Sequence, residues 1–569
     1  MKTFWLGSLL LVLVLASACA VTAETVTQTA VEPLPLSFTL KEKENESESR
    51  VFAWTFLMLV SILIVAFILG YTISSLHCEY FSEAAGAIIL GFLVGICVKY
   101  IGGFERFTEL VQFNQEFFFL VLLPPIIFES GYNMQKGHFF YNFGSITVFA
   151  LAGTTISMFV IALLLWLVSH VFKWTKYTMS GLDAFFFGAI LSATDPVTVL
   201  AIFKELGVDP DLYANVFGES VLNDAVAIVL FRTVETFFTK SITFGSIVLA
   251  VLDFARIFLG SIAVAIVVGV IAALTFKWTD LYKYPRTESV LVILFAYQSY
   301  LMAESLRLSG IVSILFAGIV MAHYAYKNLS GDAQHASKSI FEALAFLFET
   351  FIFIYLGMAL FVFNHAWDPV LIVLMLPILL ISRATNIFPL SFLINLKRKA
   401  HHKVTVQQQI MLWFGGLRGA MAFALSISVP TRDPFDSRVF LTTTLVIAIF
   451  TIFVFGGLTV PLLKYLKVPM SGHGGAVEDH APTSGDSESE TRTLEIASLQ
   501  KSKVMNFDRS VLRPLFIRMS ALQAKARANA DVVNPERDTE MTSMNSTTGH
   551  RDPIKINFHA SDMEEDGQL

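Results

Sequence analysis

Four polar side chains crowd one face of an otherwise apolar stretch. In FGESVLNDAVAIVL (217–230), Glu219, Ser220, Asn223 and Asp224 fall at i, i+1, i+4 and i+5. A helix sets that spacing on one stripe. Val221, Leu222, Ala225, Ile228 and Val229 make the opposite, apolar face. An Asp at the centre of a membrane helix costs about 2.5–3.5 kcal/mol to insert. Such residues usually face a cavity and mark an ion path. The alternative is a buried polar network that holds helices together, but two acids on one stripe exceed what packing needs.

The preceding apolar stretch, AFFFGAILSATDPVTVLAIF, contains Thr194-Asp195-Pro196 near its middle. Asp favours the N-cap and Pro the first helical position. Together they predict a broken helix whose second half starts at Asp195; a Pro-kinked continuous helix is the alternative. A broken backbone at membrane depth is tolerated only where it is buried in protein or lines a cavity. A second break is expected in MLWFGGLRGAMAFAL, where Gly415, Gly416 and Gly419 loosen the helix around Arg418. Opposed half-helices expose positive N-termini and negative C-termini. Asp195 can offset the former and Arg418 the latter. Arg383, in ILLISRATNIFPL, stays charged and cannot carry protons. A fixed counter-charge suits it, with snorkelling to the interface as the other reading.

The elements that must hold these residues are membrane helices. The 569-residue chain is 55% hydrophobic and only 15% charged. A soluble chain would carry about 25% charge. Apolar runs of about 20 residues suit helices that cross a bilayer, and they do not alternate as barrel strands do. Thirteen spans are predicted, near 51–74, 82–100, 114–131, 143–169, 182–204, 212–238, 246–276, 287–305, 308–324, 340–363, 369–395, 406–429 and 437–464. Two interrupted spans at matching positions, the fifth and twelfth, point to a transporter of inverted-repeat design. Spans 1–6 and 8–13 are then the two units, with span 7 as linker. The fold class is an all-α polytopic membrane protein.

Residues 1–20, with Lys2, an apolar core and small residues at the end, read as a signal peptide; a retained signal anchor is the alternative. Segment 21–50 is polar, is expected on the luminal or extracellular side, and holds the glycosylation pattern Asn45-Glu46-Ser47. Thirteen crossings from a luminal start put residues 468–569 in the cytosol as a mostly disordered tail. Loop Lys and Arg residues lean weakly the same way. Within the tail, Leu499 to about Val532 is basic with interleaved apolar residues. It suits an anionic membrane surface or cytosolic regulatory proteins; a short solvated helix is the plain reading. The three cysteines, Cys19, Cys78 and Cys97, offer no disulfide framework or zinc spacing. No cofactor and no nucleic-acid partner is implied.

LLPPIIFESGY (122–132), SATDPV (192–197), FGESVLNDAV (217–226), SRATNIFPLS (382–391) and GGLRGA (415–420) together resemble the eukaryotic sodium/proton exchangers of the cation/proton antiporter superfamily. The resemblance covers about 51–467 and leans to the endomembrane branch, which FDRSVLRPLFIRM (507–519) also resembles. It implies that Asp224 carries Na+ or H+, with Asn223 and Ser220 beside it. Asp195 and the backbone at Thr194 are then at the crossing of broken helices, with Arg418 at the second break. It implies that Glu219 pairs with Arg383. It associates Pro124 and Pro125 with amiloride-type inhibitors. A homodimer, a core bundle sliding against a dimerisation bundle, and a Golgi or endosomal membrane are implied too, with the plasma membrane as the other location. The function expected is electroneutral exchange of Na+ (or K+) for H+. A cation channel is the alternative. An intramembrane enzyme lacks support, because no nucleophile–base pair or metal spacing occurs.

Overall fold

The computed structural model describes residues 37–76, 82–100, 115–134, 136–175, 179–195, 197–238, 243–398, 403–429, 434–468 and 512–518. The expected signal peptide, Cys19, Cys78, Pro196 and the tail apart from 512–518 lie outside the described residues. Those residues are nearly all helical and contain no β-strand.

Each predicted apolar stretch falls on a helix or on a pair of half-helices. In chain order these are α1 (Ser37–Ser75), α2 (Glu83–Tyr100), α3 (115–132), α4 (Gly137–Phe172), the pair α5 (Gly181–Ser192) and α6 (Val197–Leu206), α7 (Pro210–Glu235), α8 (Phe244–Trp278), α9 (Pro285–Ser305), α10 (Gly310–Val320), α11 (Gly331–Val362), α12 (Pro369–Lys397), the pair α13 (Val406–Phe414) and α14 (Ala420–Ile427), and α15 (Pro434–Leu466). A single turn, α16 (Arg513–Phe516), belongs to the tail. Ten helical stretches among the described residues are long and apolar enough to cross a membrane. The count of thirteen goes beyond that. Stretch 115–132 is short, α9 carries Arg286, Glu288 and Glu304, and the α13–α14 pair is interrupted.

Helix α1 starts well before the predicted span, at Ser37, and includes Asn45. The polar segment KEKENESESR is rich in Glu and Lys, both good helix formers. It therefore continues the apolar helix outward, and the apolar span itself begins at Phe56. In α3 the turn before Pro124 is widened, with the Leu123 N–H bonding back to the Phe118 carbonyl. Proline lacks an N–H and crowds the preceding turn, so a one-residue bulge there relieves the clash. Pro124 and Pro125 are both buried.

Packing sorts the helices into two bundles. α1, α2, α3, α8, α9, α10 and α11 form a scaffold. Its tightest pair is α2 against α11. A Cβ on Gly91 would strike the Ile354 carbonyl, and one on Gly357 the Ile88 carbonyl, so glycine lets these backbones touch. α4 to α7 and α12 to α15 form the second bundle. Polar side chains tie its α4 to α12: Asn386 Nδ2 donates to Ser157 Oγ at 2.7 Å and Ser382 Oγ to the Ser157 carbonyl at 3.2 Å. All the charged and polar residues singled out between 194 and 224, and Arg383 and Arg418, lie in this second bundle.

Candidate ion site

Two broken helices meet inside the second bundle. α5 ends at Ser192, where Ala193 turns extended (φ −62°, ψ 133°), and α6 resumes at Val197. α13 ends at Phe414 and α14 resumes after Gly419, also extended (φ −141°, ψ −146°). The breaks touch directly, since the Asp195 N–H donates to the Leu417 carbonyl at 2.9 Å.

Helix ends at this depth need partners for their free N–H and C=O groups. Three charged side chains supply them. Asp195 serves both N-termini: Oδ1 accepts from the Val197 N–H at 3.1 Å, and Oδ2 from the Ala420 N–H at 3.4 Å. Arg418 Nη1 donates to the Ser192 and Ala193 carbonyls at 3.2 and 2.8 Å, at the C-terminal end of α5. Arg383 Nη2, from α12, donates to the Leu412 carbonyl at 2.6 Å, near the end of α13. Each charge sits at the helix end whose dipole it complements. Arg383 also pairs through Nη1 with Glu219 Oε1 and through Nη2 with Glu219 Oε2 at 3.3 Å. Both side chains are about 95% buried, at 5% and 4% exposure.

Two glycines make room for this. A Cβ on Gly419 would collide with the Asp195 carboxylate, and one on Gly416 would lie 2.6 Å from Arg383 Nε. Gly419→Ala is expected to push Asp195 off both caps. Overpacking of this kind costs about 1–3 kcal/mol, so the variant should melt lower and lose most of its ion flux. Wild-type flux in purified Gly419→Ala would show that the double cap is dispensable.

Helix α7 locks onto the first break through Thr194. The Thr194 N–H donates to Asn223 Oδ1 at 3.1 Å, Asn223 Nδ2 donates to Thr194 Oγ1 at 2.5 Å, and Ser220 Oγ donates to the Thr194 carbonyl at 2.8 Å. Asn223 and Ser220 are thus engaged with the broken backbone. Asp224 is different. Its Oδ1 is buried and accepts no hydrogen bond, although Asp195 and Arg418 are close enough to act on it electrostatically. A buried, unpartnered carboxylate oxygen is costly and is open to a cation or a proton.

Sequence reading passed over three contributors. Thr451, on α15, accepts from the Arg418 N–H at 3.1 Å and donates to the Arg418 carbonyl at 3.3 Å. Glu349, on the scaffold helix α11, lies within electrostatic reach of Asp195 and Glu129. Glu129, on α3, accepts from Asn133 Nδ2 at 3.1 Å. Glu349 had a signal: it is the lone acid within AFLFETFIFIYL.

Comparison with known proteins gives the family and the fold. The family model described as "Sodium/hydrogen exchanger, transmembrane" matches residues 53–465. The chain belongs to the sodium/hydrogen exchanger family. It is 42% identical over 414 residues to human sodium/hydrogen exchanger 8, covering 72% of this chain and 70% of the relative. It is 39% identical to sodium/hydrogen exchanger 5 of Arabidopsis thaliana, covering 72% and 80%. It is 41% identical to human sodium/hydrogen exchanger 9, covering 72% of this chain and 64% of that relative. In fold, this exchanger is similar to the sodium proton antiporter MjNhaP1 of Methanocaldococcus jannaschii. The TM-score is 0.53 at 16% identity, over 73% of this chain and 99% of that one. The exchanger is therefore a multi-pass cation/proton antiporter, a transporter and not an enzyme.

Proposed function

We propose that Asp224 is the load site and that it carries either Na+ or H+, one at a time. The observation that carries this reading is the unpartnered, buried Asp224 oxygen beside a crossing whose other charges balance. Asp195 and Glu219 are formally negative, and Arg383 and Arg418 formally positive. Their sum is zero. With Asp224 empty the site is one charge negative; with Na+ or H+ bound it is neutral. Moving a bare charge through a low-dielectric bundle is expensive, so the empty site is held back and either loaded form passes. That is antiport, one for one and electroneutral.

Asn223, Ser220 and Thr194 position the load site, with Ser220 a further cation contact. Asp195, Arg418, Arg383 and Glu219 keep the broken helices together as one body. That body slides against the scaffold in an elevator-type cycle, and two copies of the scaffold make a homodimer. Glu349 rides on the scaffold and stays outside the balance. The bias of the resemblance supports a Golgi or endosomal membrane, where exchange would regulate luminal and cytosolic pH and cation content. A removed signal peptide and a glycan at Asn45 suit that route, and Pro124 and Pro125 are the inhibitor-associated pair. K+ can replace Na+ at a lone carboxylate, so both cations belong in the assay.

The test is flux in proteoliposomes. A proton gradient should drive Na+ uptake, whereas Na+ flux with no proton dependence would favour a channel. A membrane potential clamped without a Na+ gradient should drive none; the clamp needs an ion that the protein does not carry. Potential-driven uptake would rule out one-for-one exchange. Acidity on the uptake side should raise the apparent Na+ KM and leave the maximal rate nearly unchanged, as competition for one carboxylate requires.

A further inference from the structure

The tail segment 512–518 sits on the membrane domain, in a seat formed by the C-terminal end of α8 and the turn 321–328 between α10 and α11. Its contacts are reciprocal. Lys277 Nζ, in the last turn of α8, donates to the Pro514 and Leu515 carbonyls at 2.8 Å each. Arg518 returns the favour to α8: its Nη2 donates to the carbonyls of Phe276, Lys277 and Thr279 at 3.3, 3.2 and 2.7 Å. A cation at a helix C-terminus complements the dipole and satisfies the last carbonyls. Its guanidinium also lies 4.7 Å above the Tyr282 ring, in cation–π range.

Asn328 reads the tail backbone as a neighbouring strand would. Its Nδ2 donates to the Phe516 carbonyl at 2.8 Å, and its Oδ1 accepts from the Arg518 N–H at 2.8 Å. The same Nδ2 holds the α8 carbonyl of Ala273 at 3.0 Å. Asn328 is 4% exposed, so its place in an Asn-Leu-Ser pattern leaves no access for a glycan. Between these polar contacts Ile517 is fully buried, and Phe516 packs edge-on to Tyr324 at 5.3 Å. Two backbone positions, two side-chain pockets and one helix cap make a sequence-selective seat.

We propose that residues 512–518 are an intramolecular ligand of this seat, and that the occupied seat restrains the exchange cycle. The second half rests on the antiport reading above. α8 joins the two repeats and packs on both α7, which carries Asp224, and the scaffold helices α9 and α10. α8 is a scaffold helix that faces α7, so the site bundle moves against it. The docked tail pins the end of α8 to the scaffold turn that leads into α11, which removes freedom from that joint.

The experiment uses the full chain with two tail variants, Ile517→Asp and Arg518→Gln, which leave every residue of the two bundles intact. Hydrogen exchange reads docking without transport. In detergent free of anionic lipid, the Ile517 and Arg518 amides should exchange slowly in the wild type and fast in both variants. In proteoliposomes the variants should show a maximal Na+ rate higher by about twofold or more, with the Na+ KM unchanged. Unprotected wild-type amides would overturn the seat, and protection that appears only with anionic vesicles would make the membrane the occupant. Protected wild-type amides with variants no faster than wild type would overturn the restraint while leaving the antiport reading intact.

Discussion

Asp224→Asn is expected to reduce exchange to background while the protein stays folded. Asn has nearly the shape of Asp but neither the charge nor the titratable proton, so it can load neither ion. The fold should not suffer, because Asp224 Oδ1 makes no hydrogen bond that the change would break. Neutralising a carboxylate whose Oδ1 is buried without a hydrogen bond removes a desolvation cost. The variant should therefore melt at or above the wild-type temperature. Purified Asp224→Asn that exchanges at near wild-type rate would place the load elsewhere. A variant that aggregates would contradict the view of Asp224 as free of structural duty.

Arg383→Ala is expected to have the largest effect on stability. It strands Glu219 in a buried site and leaves the Leu412 carbonyl, near the end of α13, without the guanidinium that caps it. Breaking a buried pair by removing one partner costs about 3–5 kcal/mol. Glu219→Ala should also destabilise the protein, leaving Arg383 with only its bond to the Leu412 carbonyl. The double variant should be milder than the sum of the two, since the stranded charge is then gone. Strict additivity in thermal unfolding would rule out the coupling, whatever transport does. Transport should fall in all three variants, because each loses the Arg383–Glu219 pair that ties α12 to α7.

The polar stripe was legible because it breaks a pattern: four polar residues share one face of an otherwise apolar helix. The break at Asp195 was legible through capping chemistry, which is local. The partners were not. Arg418 reaches the Ser192 and Ala193 carbonyls across more than 200 positions, and nothing in GGLRGA names those acceptors. That one carboxylate, Asp195, would cap α6 and α14 together also depends on how two distant segments cross. Asn223 read as a neighbour of the load, yet its amide is engaged with Thr194, a contact that only the packed break creates. Gly416 and Gly419 read as helix looseners; their larger role is clearance for Arg383 and Asp195. The basic tail segment was visible by composition. Its partner, the end of α8, was not, because the carbonyls that Arg518 holds there leave no trace in side-chain pattern.

The most direct measurement is proton release on Na+ binding to the purified exchanger. It needs only a weakly buffered solution, a pH indicator and a Na+ titration. If Na+ and H+ share Asp224, the wild-type protein held on the acid side of the titration of this carboxylate should release one proton for each Na+ bound. Na+ affinity should weaken as the solution is made more acid, and Asp224→Asn should release none. Na+ binding without proton release, or release that survives Asp224→Asn, would contradict a single shared carboxylate.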